Sequence, residues 1–261
     1  MDTQDLITAH GLAAHPAGAH LVSAGTPGGE LLFVSSVTGC GAGTPIRGGV
    51  PLIAPWFGTL LGEEPAHGFA RRVDWECRVT GTGLAAVLDR DDWHLTFSAD
   101  PTPNGIFVEL SARNDAPGTR PVQLAFHPYF GVGDIDDCTV TGLDGEAVLD
   151  RVTGADGRVG GAITFNGLVD RIITAPAGRT ATLTDGTRTV DVTGRGTDSV
   201  IVWNPGAENA AGMRDLGEGE WRRFVCVEPA LLGPDLAGVP VVPGETVTIG
   251  MTAQLTVPEL G

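Results

Sequence analysis

The sequence predicts an all-β fold, a single-domain antiparallel β-sandwich. Three observations point there: short runs of β-branched residues alternating with polar ones, 39 glycines and 18 prolines to turn the chain, and little helical periodicity. Sandwiches of about this length are commonly one domain. No interdomain linker, internal repeat or charge run divides the chain, so residues 1–261 are expected to form one unit.

In chain order, period-two runs cover Arg71 to Thr80, Leu84 to Arg90, Trp93 to Ala99 and Gly105 to Asn114. A hairpin is expected from Thr180–Thr184 and Thr187–Val192 around Asp185-Gly186, because Asp-Gly favours a two-residue turn whose twist matches the strands. After Pro243-Gly244, the stretch from Glu245 to Val257 alternates Val247, Ile249, Met251, Ala253 and Leu255 toward one face. The best helix candidate, Ala207 to Leu216, is interrupted by glycine and predicts at most two turns. Gly25–Gly29, Gly39–Gly43 and Gly154–Gly161 read as loops.

With a formal net charge of −16, the chain repels nucleic-acid phosphates and anionic membrane surfaces, so neither is an expected partner. All 16 basic residues are arginine, which removes Schiff-base chemistry. Cys40, Cys77, Cys138 and Cys226 show neither Cys-x-x-Cys nor zinc spacing and read as reduced core thiols. The acidic start, Met1 to Asp5, lacks the basic and apolar pattern of a secretion signal, and no run of about 20 apolar residues would span a bilayer. A cytoplasmic location is therefore expected. His10, His15 and His20 recur every five residues, a spacing that matches neither one helix face nor one strand face, and read as solvated. His94, inside a strand candidate, reads as structural.

The chemistry-bearing residues gather in three places. Between Ile46 and Arg71, the pieces Arg47-Gly48-Gly49-Val50-Pro51, Pro55-Trp56-Phe57-Gly58 and Pro65-Ala66-His67-Gly68-Phe69-Ala70-Arg71 set two arginines and a histidine in stiff, tightly turning loops. A guanidinium fork there suits a phosphate. The other two places are Ala125-Phe126-His127-Pro128-Tyr129-Phe130 and Phe224-Val225-Cys226-Val227-Glu228-Pro229-Ala230. An imidazole and a carboxylate together can serve as acid and base near neutral pH. Taken singly, these residues also fit plainer roles. His127 could be a strand histidine satisfied by a carbonyl, Glu228 an edge charge, His67 a solvated turn histidine, Asp170 half of a surface pair with Arg171, and Arg47 and Arg71 exposed loop arginines.

With Val169-Asp170-Arg171 and Val202-Trp203-Asn204-Pro205, these segments in this order resemble the D-hexose-6-phosphate mutarotases of the aldose 1-epimerase superfamily, from about Pro45 to the C-terminus. The resemblance implies a β-supersandwich that interconverts the α and β anomers of a hexose 6-phosphate without cofactor or metal. His127 would be the acid, Glu228 the base, Arg47 and Arg71 the phosphate ligands, and His67 and Asp170 would contact the sugar. Arg72 could stand in for Arg71, and Trp56, Phe57 and Phe69 could stack on the sugar or belong to the core. Two rival readings remain: a mutarotase of unphosphorylated aldoses, with no use for the arginines, and a non-catalytic carbohydrate-binding sandwich, with no use for an acid and a base.

Overall fold

The computed structural model describes residues 5–41 and 43–257; the reading of the N-terminus therefore lies almost wholly outside the described residues. Its architecture is all-β as expected. Two eight-stranded sheets carry the fold, joined by a four-stranded sheet near the N-terminus and a two-stranded ribbon, Arg120–Val122 with Val239–Val241. Every paired strand in the ladders is antiparallel to its neighbour.

One large sheet runs from Thr139–Thr141 through Thr180–Thr184, Thr189–Arg195, Thr246–Thr256, Gly105–Asn114, Trp93–Thr102 and Leu84–Arg90 to Glu76–Val79. Here the alternation in the sequence is the alternation in space. Trp93, Leu95, Phe97 and Ala99 are buried between half-exposed neighbours, and Ile249, Met251, Ala253 and Leu255 repeat the pattern. The second sheet orders Ala155–Arg158, Ala147–Asp150, Val169–Thr174, Ser199–Asn204, Phe224–Leu231, Leu124–Phe126 and Leu52–Ile53, with Tyr129–Gly131 also paired to Phe224–Leu231. Its central strand, Phe224–Leu231, is buried on both faces. Val225 and Val227 join the core shared with the other sheet, while Phe224 and Cys226 pack on the opposite face. A strand covered on both sides needs apolar residues at every position, which is why this run does not alternate.

Several local expectations change. Arg71 and Arg72 belong to a short 3-10 turn, Ala70–Arg72, and the strand begins only at Glu76. The Asp185 hairpin pairs Thr184 with Thr189, so four residues rather than two make the turn. The Asp185 carboxylate takes over the turn's bonding, accepting from the backbone N–H groups of Thr187 and Arg188. The helix shrinks to one turn, Gly206–Ala210. Cys138 and Cys226 are buried free thiols as expected, but Cys40 and Cys77 are half-exposed. His15 and His20 are buried rather than solvated, each with one backbone partner: Ala17 N–H donates to His15 Nδ1, and His20 Nε2 donates to Gly48 O at 2.7 Å, while His20 Nδ1 has no partner among the described residues. No helix among the described residues is long and apolar enough to cross a membrane.

Candidate active site

The outer face of the second sheet supplies the floor of the site by register. Asp170 pairs with Trp203, Trp203 with Cys226, and Cys226 with Tyr129, giving one row across four strands. One step along, Glu228 pairs with Ile201. Period two then sets Cys226 and Glu228 on the same side. His127 lies where Pro128 interrupts the ladder between Leu124–Phe126 and Tyr129–Gly131, with its backbone N–H on Pro51 O. Its ring stacks on Tyr129, centroids 5.0 Å apart and 12° from parallel, and Trp203 meets it edge-on at 5.6 Å.

His127 Nε2 stands 3.4 Å from Glu228 Oε1. Glu228 is 1% and His127 7% exposed. Burial raises the Glu228 carboxyl well above its ordinary range and pushes the His127 imidazole well below its own, with His67, Arg71 and Arg47 adding to the second effect. Both shifts favour the uncharged forms, a protonated carboxyl beside a neutral imidazole. Glu228 Oε2 and His127 Nδ1 have no hydrogen-bond partner among the described residues, so both groups keep hydrogen-bonding capacity for a ligand.

The loops from Arg47 to Arg71 wall this floor. Gly49 (φ +60°) and Gly68 (φ +71°) turn where a side chain has no room: a Cβ would lie 2.2 Å from Leu21 O at the first and 2.0 Å from Ala54 O at the second. Between them His67 itself adopts φ +67°, a conformation uncommon for a residue with a side chain. Its Nδ1 accepts from Gly58 N–H, which leaves the proton on Nε2, and burial pushes its pKa down to about 3. Arg47 is clamped, its Nη1 donating to Tyr129 Oη at 2.8 Å and its Nη2 3.0 Å from Asp215. Arg71 is not. Its Nη2 donates to Ala66 O, its Nε is buried without a partner, and no carboxylate pairs with it among the described residues. Burial, with Arg72 and Arg47 close by, pushes it down to about 10, which still leaves it charged at neutral pH.

All six residues singled out in the sequence, Arg47, His67, Arg71, His127, Asp170 and Glu228, line one cavity of about 250 Å³, together with Phe57, Arg151, Ile201 and Trp203. Of the adjacent arginines it is Arg71 that enters; Arg72 turns away to Gly43 O. Phe57 lines the cavity, whereas Trp56 and Phe69 pack edge to face and line a separate pocket. Asp170 faces Arg151 at 3.6 Å, and Arg171, on the other face of the strand, pairs with Asp150. A larger groove of about 640 Å³ on this sheet contains carboxylates but no histidine or arginine, and Asp198 there is spent on the N–H groups of Leu232 and Gly233. Sequence reasoning missed Arg151, Asp215 and Tyr129 as members of the site. Only Tyr129 carried a signal, two residues from His127 in the same short segment; Arg151 and Asp215 sit in loops that pattern alone does not bring to this point.

The sequence pattern of the aldose 1-epimerases matches residues 12–254. A protein of Salmonella typhimurium provisionally named a glucose-6-phosphate 1-epimerase is 32% identical over 81% of this chain and 76% of its own, and its Escherichia coli counterpart 31% over 82% and 77%. The crystal structure of a provisionally named mutarotase from Salmonella typhimurium superposes with a TM-score of 0.82 at 27% identity, covering 97% of this chain and 90% of that one. Another, of a provisionally named aldose 1-epimerase from Escherichia coli, shares the fold at a TM-score of 0.76 and 15% identity, covering 97% and 98%. With its pattern matched over nearly its whole length, the chain belongs to the aldose 1-epimerase family.

Proposed function

We propose that this protein interconverts the α and β anomers of hexose 6-phosphates, glucose 6-phosphate in particular, by acid–base ring opening and closure between His127 and Glu228. One observation carries the phosphate: Arg71 is a half-buried cation lining the cavity beside the acid–base pair, with no carboxylate partner among the described residues and a buried, unused Nε–H. An unpaired charge held partly out of water is costly, so a site that keeps one suits an anion. Clamped by Asp215 and Tyr129, Arg47 is a preorganised second contact. The names of the enterobacterial relatives agree with this substrate.

Opening the ring needs a proton delivered to the ring oxygen and one taken from the anomeric hydroxyl. Imidazolium at His127 gives the first and carboxylate at Glu228 takes the second, leaving neutral imidazole and carboxylic acid. After rotation about the C1–C2 bond, closure onto either face of the aldehyde reverses both transfers. The uncharged forms that burial favours are thus those that follow opening. Burial is the main cause that disfavours imidazolium at His127, and Arg71 and Arg47 add to it; a phosphate neutralising those two removes their part and favours the proton on His127. No redox step or group transfer occurs, so the chemistry calls for no cofactor. The continuous core across both large sheets supports treating the chain as one catalytic domain.

Anomer exchange measured by magnetisation transfer on glucose 6-phosphate and on glucose tests the reading. Faster exchange of the phosphorylated sugar is expected. Equal rates favour the unphosphorylated-aldose reading, and no exchange of either favours a carbohydrate-binding protein.

A further inference from the structure

The sheet register places a third group against the acid–base pair. Cys226 lies two residues before Glu228 on the same strand face, and ligand atoms of His127, Cys226 and Glu228 all fall within 4.8 Å of one another. The Cys226 thiol is fully buried and makes no hydrogen bond among the described residues, whereas the Cys138 thiol donates to Asp134 O. His127 Nδ1 and Glu228 Oε2 are likewise unpartnered, although both residues are more than nine-tenths buried.

We propose that His127, Cys226 and Glu228 form a three-ligand site for a thiophilic divalent cation of the zinc type, and that its occupancy shuts off turnover. Zinc bonds of ~2.0 to 2.3 Å set tetrahedral ligand atoms roughly 3.5 Å apart, so side-chain adjustments of about an ångström close the set around the metal. One imidazole, one thiolate and one carboxylate match zinc or cobalt, not magnesium or calcium, which seek oxygen-rich shells. A fourth position faces the cavity. The thiol proton and the Glu228 carboxyl proton both leave to solvent on binding, and thiolate plus carboxylate then balance the charge of the cation. Arg47, Arg71 and Arg151 oppose a cation here, but Asp215 faces the first and Asp170 the third, and the acidic chain attracts cations at longer range. Spacing in the sequence hides this site because His127 comes from a segment far along the chain from Cys226 and Glu228.

Binding stands on geometry alone; inhibition also rests on His127 and Glu228 being the acid–base pair. Cobalt(II) titrated into the purified protein is expected to give a thiolate-to-cobalt charge-transfer band at one equivalent, displaced by zinc. The band should vanish in Cys226→Ser and persist in Cys40→Ser/Cys77→Ser/Cys138→Ser, where Cys226 is the sole thiol. That second variant decides the matter even if Cys226→Ser does not fold. Zinc should slow anomer exchange by the wild type at least tenfold, and a chelator should restore it. Absence of the band from the wild type or from the sole-thiol variant overturns the site. A band with undiminished anomer exchange leaves the site but overturns the inhibition, and it separately removes His127 and Glu228 from the chemistry.

Discussion

At the level of single residues, burial is the main lever on reactivity. Glu228 and His127 have their charged forms disfavoured by the same dry surroundings, and 3.4 Å of separation lets one proton serve both. Glu228→Gln and His127→Asn each remove a proton carrier while keeping similar volume, so each should slow anomer exchange of glucose 6-phosphate by at least about 10²-fold with the fold intact. Near-normal turnover in a folded variant dismisses that residue. Arg151 acts differently: it faces Asp170 at 3.6 Å and is expected to hold that carboxylate toward the sugar ring. Arg151→Ala should lower kcat/KM on glucose and glucose 6-phosphate by the same factor, on the order of 1 kcal/mol in free energy. A loss confined to the phosphorylated sugar would make Arg151 a phosphate ligand instead.

Elements place these residues, and two of the devices are local enough to test alone. Gly68 turns the chain under Ala54 O, and a methyl group there has nowhere to go, so Gly68→Ala should displace His67 and depress activity beyond its effect on stability. Asp185 holds its turn through the N–H groups of Thr187 and Arg188 and the Thr187 hydroxyl, in the sheet away from the cavity. Asp185→Ala should therefore cost about 1 to 3 kcal/mol in chemical denaturation with kcat/KM unchanged. The Leu84–Arg90 and Gly105–Asn114 strands were legible to the residue because one face is wet and alternation shows. The Phe224–Leu231 strand hides its geometry in a continuous apolar run, so Glu228 reads from sequence as an edge charge when it sits in mid-strand. The hairpin turn was misjudged because a carboxylate, not a glycine, organises it. Arg47, His67 and Arg71 were legible through their glycine and proline surroundings, while Asp215 and Arg151 reach the site only through loop paths that no periodicity encodes.

Across the whole molecule, the N-terminal sheet and the site are tied together by His20, which sequence spacing suggested was solvated. It is fully buried, Nε2 donating to Gly48 O, and burial pushes its pKa down to about 4 from an ordinary 6.5. Above pH 6.5 both folded and unfolded chains keep it neutral. As pH falls from there, the unfolded chain takes up the proton first, so stability is lost until about pH 4, by about 3 kcal/mol from this residue. Urea denaturation of wild type and His20→Gln at pH 7 and pH 5 should show the smaller loss in the variant. Equal losses would mean His20 is protonated in the native state. His20 bonds Gly48 next to Arg47, so this buried histidine links the fold's stability to the cavity wall that holds Arg47.

If a chain of net charge −16 holds a phosphate at Arg71, the ratio of kcat/KM for glucose 6-phosphate to that for glucose will show it, measured in wild type and in Arg71→Ala. The wild-type ratio should be well above unity. Arg71→Ala should cut kcat/KM for glucose 6-phosphate by about 10- to 150-fold, the usual worth of a hydrogen bond to a charged group at ~1.5 to 3 kcal/mol, while leaving the value for glucose within about twofold. A ratio near unity in the wild type, or equal losses on both sugars in the variant, would contradict the account.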